Sequence, residues 1–514
     1  MSTELGSASA QPKLQLETLL PDSCAMSWCK FAICVFSCAL FLLLCYLPVS
    51  DPGTWQLVNQ AQTYSCEARS ELLPYSQGMR FASIGQPGKQ FLLTLFQAGG
   101  PEYLGIGFAV SQMLVFCFWV LVFYRIFPSE WSLLAGCGAA MASFFELQGI
   151  HTQIFGQFFG AALVLVLLSA RGDTQQWNWN SATRFQWAAV FVVMVLWTNF
   201  DATFILGLGG LFVFAFSRIL EVSSWKLIFK DKEFRCRIWL FEFALLATLF
   251  TSQGIGLWKT LLWWPDNPIL QSLKSPYPAL LAGWTTGILA IAWAVWFVVS
   301  RKVKQLEFPT LILAMVASLL VILSHKLIFW FAVAISLSIL ELATRVPMQR
   351  SPSRETHTRP GAFKFTFTLL SALAIWMAFC FSPIGAIAMG GADRTQQEII
   401  GQAMPYQAKE YLRSDPAILM HCPVYWSDWL QSETGQPTML TNSLHLTPRF
   451  VGIDFHRIFE GDADWRKVAD KYSITCLLID KDKQSRLNRS LRRRPAEWKK
   501  AHEDSLCVIY RREL

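Results

Sequence analysis

The sequence predicts a polytopic α-helical membrane protein with a small α/β domain at its C-terminal end. Three observations predict it. Apolar runs recur along most of the 514 residues, of which 53% are hydrophobic and only 16% charged, and a hydrocarbon core of about 30 Å demands runs of this kind. Lysine and arginine collect in alternate loops between the runs. From residue 407 the long runs stop, and short strand-like and helix-like stretches take over.

About eleven apolar runs are recognisable, at 29–49, 103–127, 131–148, 152–170, 185–197, 203–220, 238–251, 279–299, 309–323, 327–342 and 363–381. Arg171 and Arg184, then Arg218 with Lys226, Lys230, Lys232, Arg235 and Arg237, then Arg301, Lys302 and Lys304, then Arg345, Arg350, Arg354, Arg359 and Lys364 share one side. That side is the cytoplasm, together with Lys13, because positive loops stay inside. The first run starts late, is long and lacks a small-residue cleavage site before Asp51, so it is read as a retained helix and not a signal peptide. An odd number of spans then puts the C-terminal end outside. Residues 1–28 form a cytoplasmic tail, 29–384 a membrane domain with an outward loop over 51–101, 385–406 a linker, and 407–514 an extracytoplasmic domain.

Within that outer domain, 417–421, 438–441, 475–479 and 507–510 read as strands, and 425–431, 464–472 and 485–502 as helices. The alternation points to a mainly parallel sheet. The net charge of +8 comes from the cytoplasmic loops and a basic stretch near the C-terminus, and calls for no nucleic-acid partner. Most cysteines lie inside apolar runs, where they act as small hydrophobes. Cys422, Cys476 and Cys507 fall outside, where a disulfide is possible but no pairing is specified. No Cys/His spacing suits a metal, and no cofactor is implied.

Five polar insertions fall on the outward side: Asp51, the 146–153 turn, Asn199 with Asp201, residues 253–266, and His325-Lys326. Ionisable groups at membrane depth are costly and tend to mark function, so their common sidedness points to one outward-facing polar cavity. Asp51 can accept a proton from an attacking hydroxyl, although an Asp before Pro also serves as a plain turn residue. His151 and Gln153 can donate hydrogen bonds to a phosphate or hydroxyl, or simply meet headgroups. Asn199 and Asp201 line a cavity or pair with neighbouring helices. Lys326 can neutralise a phosphate or snorkel to the interface. Trp258, Trp263 and Trp264 beside Lys259 read as an interfacial helix, either anchoring the belt or flanking a groove for a lipid tail. Glu341 and Arg345, four apart at an inner helix end, read as an ion pair.

Taken in order, these motifs resemble the bacterial GT-C-type integral membrane glycosyltransferases, relatives of protein mannosyltransferases and lipid A sugar transferases, in their uncharacterised branch. Asp51-Pro52-Gly53-Thr54-Trp55 is similar to the family's acidic motif after the first helix, and Gln86 to Gly100 to its amphipathic segment. His151-Thr152-Gln153 stands where an Arg-Pro-Gln turn occurs, Trp197 to Asp201 resembles a Trp-x-Asn-x-His element, and Ser252-Gln253-Gly254 an Asn-Pro-x-Gly turn. His325-Lys326 stands where an Arg-Asn pair is common, while Pro423 to Leu430 and Trp498 to Arg511 resemble two motifs of the outer domain. The resemblance covers nearly the whole chain. It departs where Gly53 replaces a second acidic residue, Asp201 replaces a histidine, and the histidine after the Trp pair is missing; it therefore supports the fold more strongly than the reaction.

The resemblance implies a GT-C-like domain in the bacterial plasma membrane that moves a sugar from a polyprenyl-phosphate donor to a glycan, lipid or protein acceptor on the outer face. Asp51 would be the catalytic carboxylate. His151, Gln153, Asn199, Asp201, His325 and Lys326 would be polar groups of the cavity, with Lys326 or His151 facing the departing phosphate. A lipid-phosphate leaving group makes a nucleotide-sugar metal motif unnecessary. Two other readings use the same residues: a transporter or flippase-like protein, against which the lack of internal repeats counts, and an inactive family member that binds a glycan or a partner.

Everything in the site depends on sidedness. Alkaline phosphatase fused after Leu514 is expected to be active; an inactive phosphatase there, with an active cytoplasmic reporter at the same position, would refute the topology.

Overall fold

Apolar runs fold as helices because a backbone away from water must satisfy its own hydrogen bonds. The computed structural model describes residues 28–65, 85–127, 130–146, 151–169, 184–221, 228, 230–262, 283–301, 308–323, 327–345, 360–392, 394–415, 419–442 and 449–513. It is mostly helical, with one small sheet near the C-terminus. The first part comprises α1 (Trp28–Tyr46), α2 (Pro52–Ser65), α3 (Gln86–Ile126), α4 (Glu130–Glu146), α5 (Gln153–Ser169), α6 (Arg184–Phe200), α7 (Phe204–Glu221), α8 (Lys232–Ala247), α9 (Ile255–Leu262), α10 (Gly283–Ser300), α11 (Phe308–Leu323), α12 (Ile328–Arg345) and α13 (Pro360–Phe381).

Among the described residues, α3 is the helix long and apolar enough to cross a membrane by length and composition; the other apolar helices are shorter. Trp239, Ile291, Leu323, Leu373 and Trp376 stand bare on the outside of the bundle, and large apolar groups displayed in such numbers suit a lipid surrounding better than water. The helix α3 is broken at Gly99-Gly100, where Gly100 takes a positive φ of 65° ahead of Pro101. Glycine alone adopts that backbone readily, and proline removes an amide from the ladder. The break separates the expected amphipathic segment from the apolar helix that follows.

The second part comprises α14 (Pro383–Ala388), α15 (Gln396–Ile400), α16 (Tyr406–Ser414), β1 (Met420–His421), α17 (Val424–Thr434), α18 (Arg449–Glu460), α19 (Trp465–Lys471), β2 (Cys476–Asp480), α20 (Ser485–Arg492), β3 (Trp498–Glu503) and β4 (Cys507–Arg512). The strand order is β1-β2-β4-β3. Strand β1 runs parallel to β2, with Met420 opposite Cys476, but β2–β4 and β4–β3 are antiparallel. The sheet is thus mixed, not mainly parallel.

One misreading accounts for the difference. Residues 485–502 are not a single helix: α20 stops at Arg492, three residues before Pro495, and Trp498–Glu503 is a strand. Residues ahead of a proline are pushed out of the helical region. The chain then turns back at Asp504, whose Oδ1 accepts the amides of Leu506 and Cys507, both at 2.7 Å, and this Asx turn closes a hairpin. Cys422, Cys476 and Cys507 are buried thiols.

The two sheet faces have different partners. Met420, Cys476, Leu478, Cys507 and Ile509 belong to the same apolar core as Trp55, Leu104, Trp119 and Phe329 of the bundle, connected through Ile399, Ile400 and Met404. Leu477, Ile479, Val508 and Tyr510 face the other way, against α18, α19 and α20. The linker itself is structured: Thr395 and Glu398 form a capping box on α15, and the amide of Val49 donates to the carbonyl of Ile399 at 2.8 Å.

A buried polar contact fixes the docking. Asn59 of α2 donates to Asp428 Oδ1 (3.1 Å) and to Gln431 Oε1 (3.0 Å) of α17, and the Asn442 amide donates to Asp428 Oδ2 at 2.8 Å. Burial pushes the Asp428 carboxyl up to about 6, against the opposing pull of Asn59 and Asn442. His421 is also fully buried, its ring tilted against that of Phe455 with centroids 4.5 Å apart, and burial pushes it down to about 3.

These shifts have opposite signs in a stability profile. The folded state holds the Asp428 proton more tightly than the unfolded chain, so that stabilising contribution is present at low pH and is lost as pH rises from about 4 through about 6, by about 3 kcal/mol at 1.36 kcal/mol per unit. Neutral His421 acts oppositely, costing stability as pH falls below its ordinary range. Thermal unfolding of Asp428→Asn against wild type across pH 4 to 7 isolates the first: the difference should shift in the variant's favour as pH rises. Asn59→Leu should lower stability by about 1–3 kcal/mol by stranding buried acceptors.

Candidate functional site

Asp51 follows α1 after a short extended segment. Its position is set by the Val49 carbonyl, which accepts the Trp55 indole N–H at 2.8 Å. Three bonds converge on a single carboxylate oxygen: Oδ2 accepts the Thr54 amide (2.7 Å), the Thr54 hydroxyl (3.3 Å) and His151 Nε2 (3.1 Å). The first of these caps α2. Among the described residues none donates to Oδ1, and 19% of the side chain is open. Burial pushes Asp51 up, but the bonds from His151 and Thr54 outweigh it and hold the carboxyl below its usual range. The result is an ionised carboxylate with one oxygen anchored and one oxygen free.

Gly53 explains how the histidine reaches it. A Cβ at Gly53 would lie 2.2 Å from His151 Cε1 and 3.0 Å from Asp51 Oδ2. The space that a side chain at position 53 would enter is therefore filled by the imidazole ring.

Asp201 has the opposite character. Only 3% exposed, it accepts the Thr152 hydroxyl on Oδ1 (2.9 Å), and on Oδ2 both the Thr203 amide (2.9 Å) and the Thr203 hydroxyl. Thr203 Oγ1 in turn accepts the Trp197 indole N–H at 3.1 Å. Gly156 makes room, since a Cβ there would sit 1.9 Å from that hydroxyl. Asp201 thus binds the α6–α7 corner to the start of α5, one residue from His151. Asn199 is a tie as well, donating to the carbonyls of Val195 (2.8 Å) and Phe250 (3.0 Å).

Gln153 is half-buried at the start of α5, and no described residue hydrogen-bonds its side-chain amide. His325 and Lys326 lie outside the described residues, as do Trp263 and Trp264. Trp258 points inward: its indole donates to Thr248 Oγ1 at 3.1 Å and its ring meets Phe204 edge-on at 5.8 Å. Glu341 is buried on α12, and its expected partner's side chain, that of Arg345, lies outside the described residues.

Below the Asp201 knot is a cavity of about 360 Å³, lined by Leu163, Gly207, Gly210, Leu313, Leu337 and others, and bounded by Trp197 and Trp330. These two rings stack at 5.9 Å and 19°. Its walls are almost wholly apolar, with Thr310 and Glu341 among the few polar residues. Gly160 and Gly207 admit the two indoles, because a Cβ at either would come within 3 Å of a ring.

Sequence reasoning overlooked Lys89. It lies 93% buried in the first turns of α3, beside Gly88 and near Gly85, whose Cβ positions abut the Phe200 carbonyl, Thr152 and Phe155. Its signal was a single lysine in the segment 85–100, otherwise free of charge, which deserved the treatment given to the other ionisable groups.

No family model and no curated protein matches the sequence. Solved structures do match. AglB, the archaeal oligosaccharyltransferase from Archaeoglobus fulgidus in complex with an inhibitory peptide and a dolichol-phosphate, aligns with a TM-score of 0.52 over 88% of this chain and 70% of its own, at 12% identity. The apo form of the Archaeoglobus fulgidus oligosaccharyltransferase gives 0.54 over 88% and 69%, at 11% identity. The chain thus shares the fold of these oligosaccharyltransferases.

The two carboxylates should respond differently to substitution. Asp201→Ala leaves two threonine hydroxyls and an amide without their acceptor and should cost about 2–4 kcal/mol in thermal unfolding in detergent. Gly53→Ala should leave unfolding within about 1 kcal/mol, because the ring it meets can rotate away, yet detach His151 from Asp51. An Asp201→Ala protein as stable as wild type would refute the structural role.

Proposed function

We propose that the protein is a membrane glycosyltransferase that transfers a sugar from a polyprenyl-phosphate donor to an acceptor on the outer face of the bacterial plasma membrane, from a bundle of about eleven spans. The observation that carries the reading is the asymmetric carboxylate of Asp51. Its free Oδ1 can take the proton of an acceptor hydroxyl while Oδ2 remains tied to Thr54 and His151, so the base is oriented before substrate arrives. The acceptor oxygen bonds to the anomeric carbon as the carbon–oxygen bond to phosphate breaks, and the polyprenyl phosphate leaves with that electron pair.

The charge developing on the phosphate needs donors and cations around it. His151 and Gln153 at the start of α5, Lys89 in the buried turn of α3, and His325 with Lys326 supply them in this reading. Asn199 and Asp201 hold the corner that carries these groups. The apolar cavity under Trp197 has the volume of an ordinary ligand site and the lining that suits a hydrocarbon tail. The dolichol-phosphate and inhibitory peptide in the AglB complex support a lipid-linked donor and a protein acceptor as the classes to test first.

Gly53 supports a second reading. With a glycine in place of a second acid and His151 filling the space, a family member that binds glycan or a partner without turning it over accounts for the same geometry. The two readings separate on one substitution. Asp51→Asn keeps a competent helix cap but removes the base, and should lower transfer from a polyprenyl-phosphate sugar by about 10² to 10⁴ with unchanged thermal unfolding. Full activity in Asp51→Asn would overturn the assignment of the base, and wild-type protein inert towards every such donor would favour the binding reading.

A further inference from the structure

The basic stretch near the C-terminus has a defined place in the fold. Between residues 481 and 500 stand nine lysines and arginines against Asp482 and Glu497. Leu487 and Leu491 anchor α20 in the apolar layer beneath it, and Asn488 Oδ1 accepts the Tyr510 hydroxyl at 2.9 Å. The side chains of Arg486, Arg489, Arg493 and Arg494 are left exposed and make no hydrogen bond or ion pair among the described residues. Glu503 is already shared by Lys500 and Lys481, whose hydrogen bonds hold it down to about 2, and it is approached by Arg492.

Helix stability does not explain this arrangement. Cations in the last turn complement the helix dipole, but Arg486 sits in the first turn, which holds no acidic residue, where a positive charge is disfavoured. Location excludes a second explanation. The helix α20 packs on the sheet face opposite the one that joins the bundle core, so its arginines point away from the helices that would lie in the bilayer.

We propose that this arginine face of α20 binds a linear polyanion, a glycan or polymer chain bearing phosphate or carboxylate groups, approaching from outside. Arg486, Arg489 and Arg493 recur at i, i+3 and i+7 and so share a stripe about 10 Å long at 1.5 Å per residue, which a chain with repeated charges spans and a single anion does not. Guanidinium forks suit phosphate and carboxylate oxygens, which they grip in pairs. The proposal does not depend on the transfer chemistry and stands or falls on binding alone.

The test uses the full chain in a neutral detergent with three probes: long-chain inorganic polyphosphate, polygalacturonate and uncharged dextran. Both polyanions, or one of them, should bind, with affinity falling steeply as salt rises; which of them binds identifies the group recognised. Arg486→Gln, Arg489→Gln, Arg493→Gln and Arg494→Gln combined should weaken that binding at least 10-fold with unchanged thermal unfolding. Lys467→Gln, removing a cation already paired with Asp464, should change it less than twofold. Equal binding by the quadruple variant, equal binding of dextran, no polyanion binding by wild type at low salt, or preference for phosphatidylglycerol vesicles over both polymers would overturn the proposal.

Discussion

The structure turns on one oxygen atom, Asp51 Oδ2. By accepting the Thr54 amide it starts α2, and the direction of α2 carries Trp55 into the bundle core and Asn59 to the buried contact with Asp428. By accepting His151 Nε2 it also fixes the start of α5. A carboxylate taken from water loses solvation worth several kcal/mol, and three donors on one side offset that loss. The same three donors leave the second oxygen uncommitted. Anchoring therefore falls to one oxygen of the side chain, and the proposed reaction to the other.

The comparison with Asp201 shows how much local sequence can tell. Both aspartates end an apolar run, and both stand two or three residues before a threonine, so each reads as a turn or cap from its neighbours alone. What separates them is a partner far away in the chain. Thr152 fills Asp201 Oδ1, while no described residue reaches Asp51 Oδ1. Gly156 and Gly53 decide these outcomes by having no side chain, and a glycine in an apolar stretch announces close approach without saying of what.

The fold was legible to a similar depth. Apolar periodicity located the helices and the change of character after residue 406, because both depend on composition over a short window. The sheet was misjudged where composition and local signals conflicted: the run of arginines before Pro495 resembles a helix surface, whereas Trp498 is buried and Lys499 exposed as strand alternation requires. The union of the bundle and the C-terminal domain is not legible in any local stretch, since its key bond joins Asn59 to Asp428 across 369 positions. Helix α18 does carry a local signal, since buried Val451, Phe455 and Ile458 recur at helical spacing.

Polar site and apolar cavity are mechanically joined through Trp197. Its ring stacks on Trp330 at the edge of the cavity, and its indole N–H holds the Thr203 hydroxyl that bonds Asp201. Asp201 in turn holds Thr152, the neighbour of His151. The glycines Gly156, Gly160 and Gly207 allow this column to pack without intervening side chains, and a close-packed column transmits a displacement where a loose one absorbs it. A chain that enters the cavity and shifts the indole must strain the Thr203–Asp201–Thr152 bonds or move them together. In the second case the imidazole beside Asp51 would move as well, and occupancy of the apolar cavity would then change the hydrogen bonding at the carboxylate.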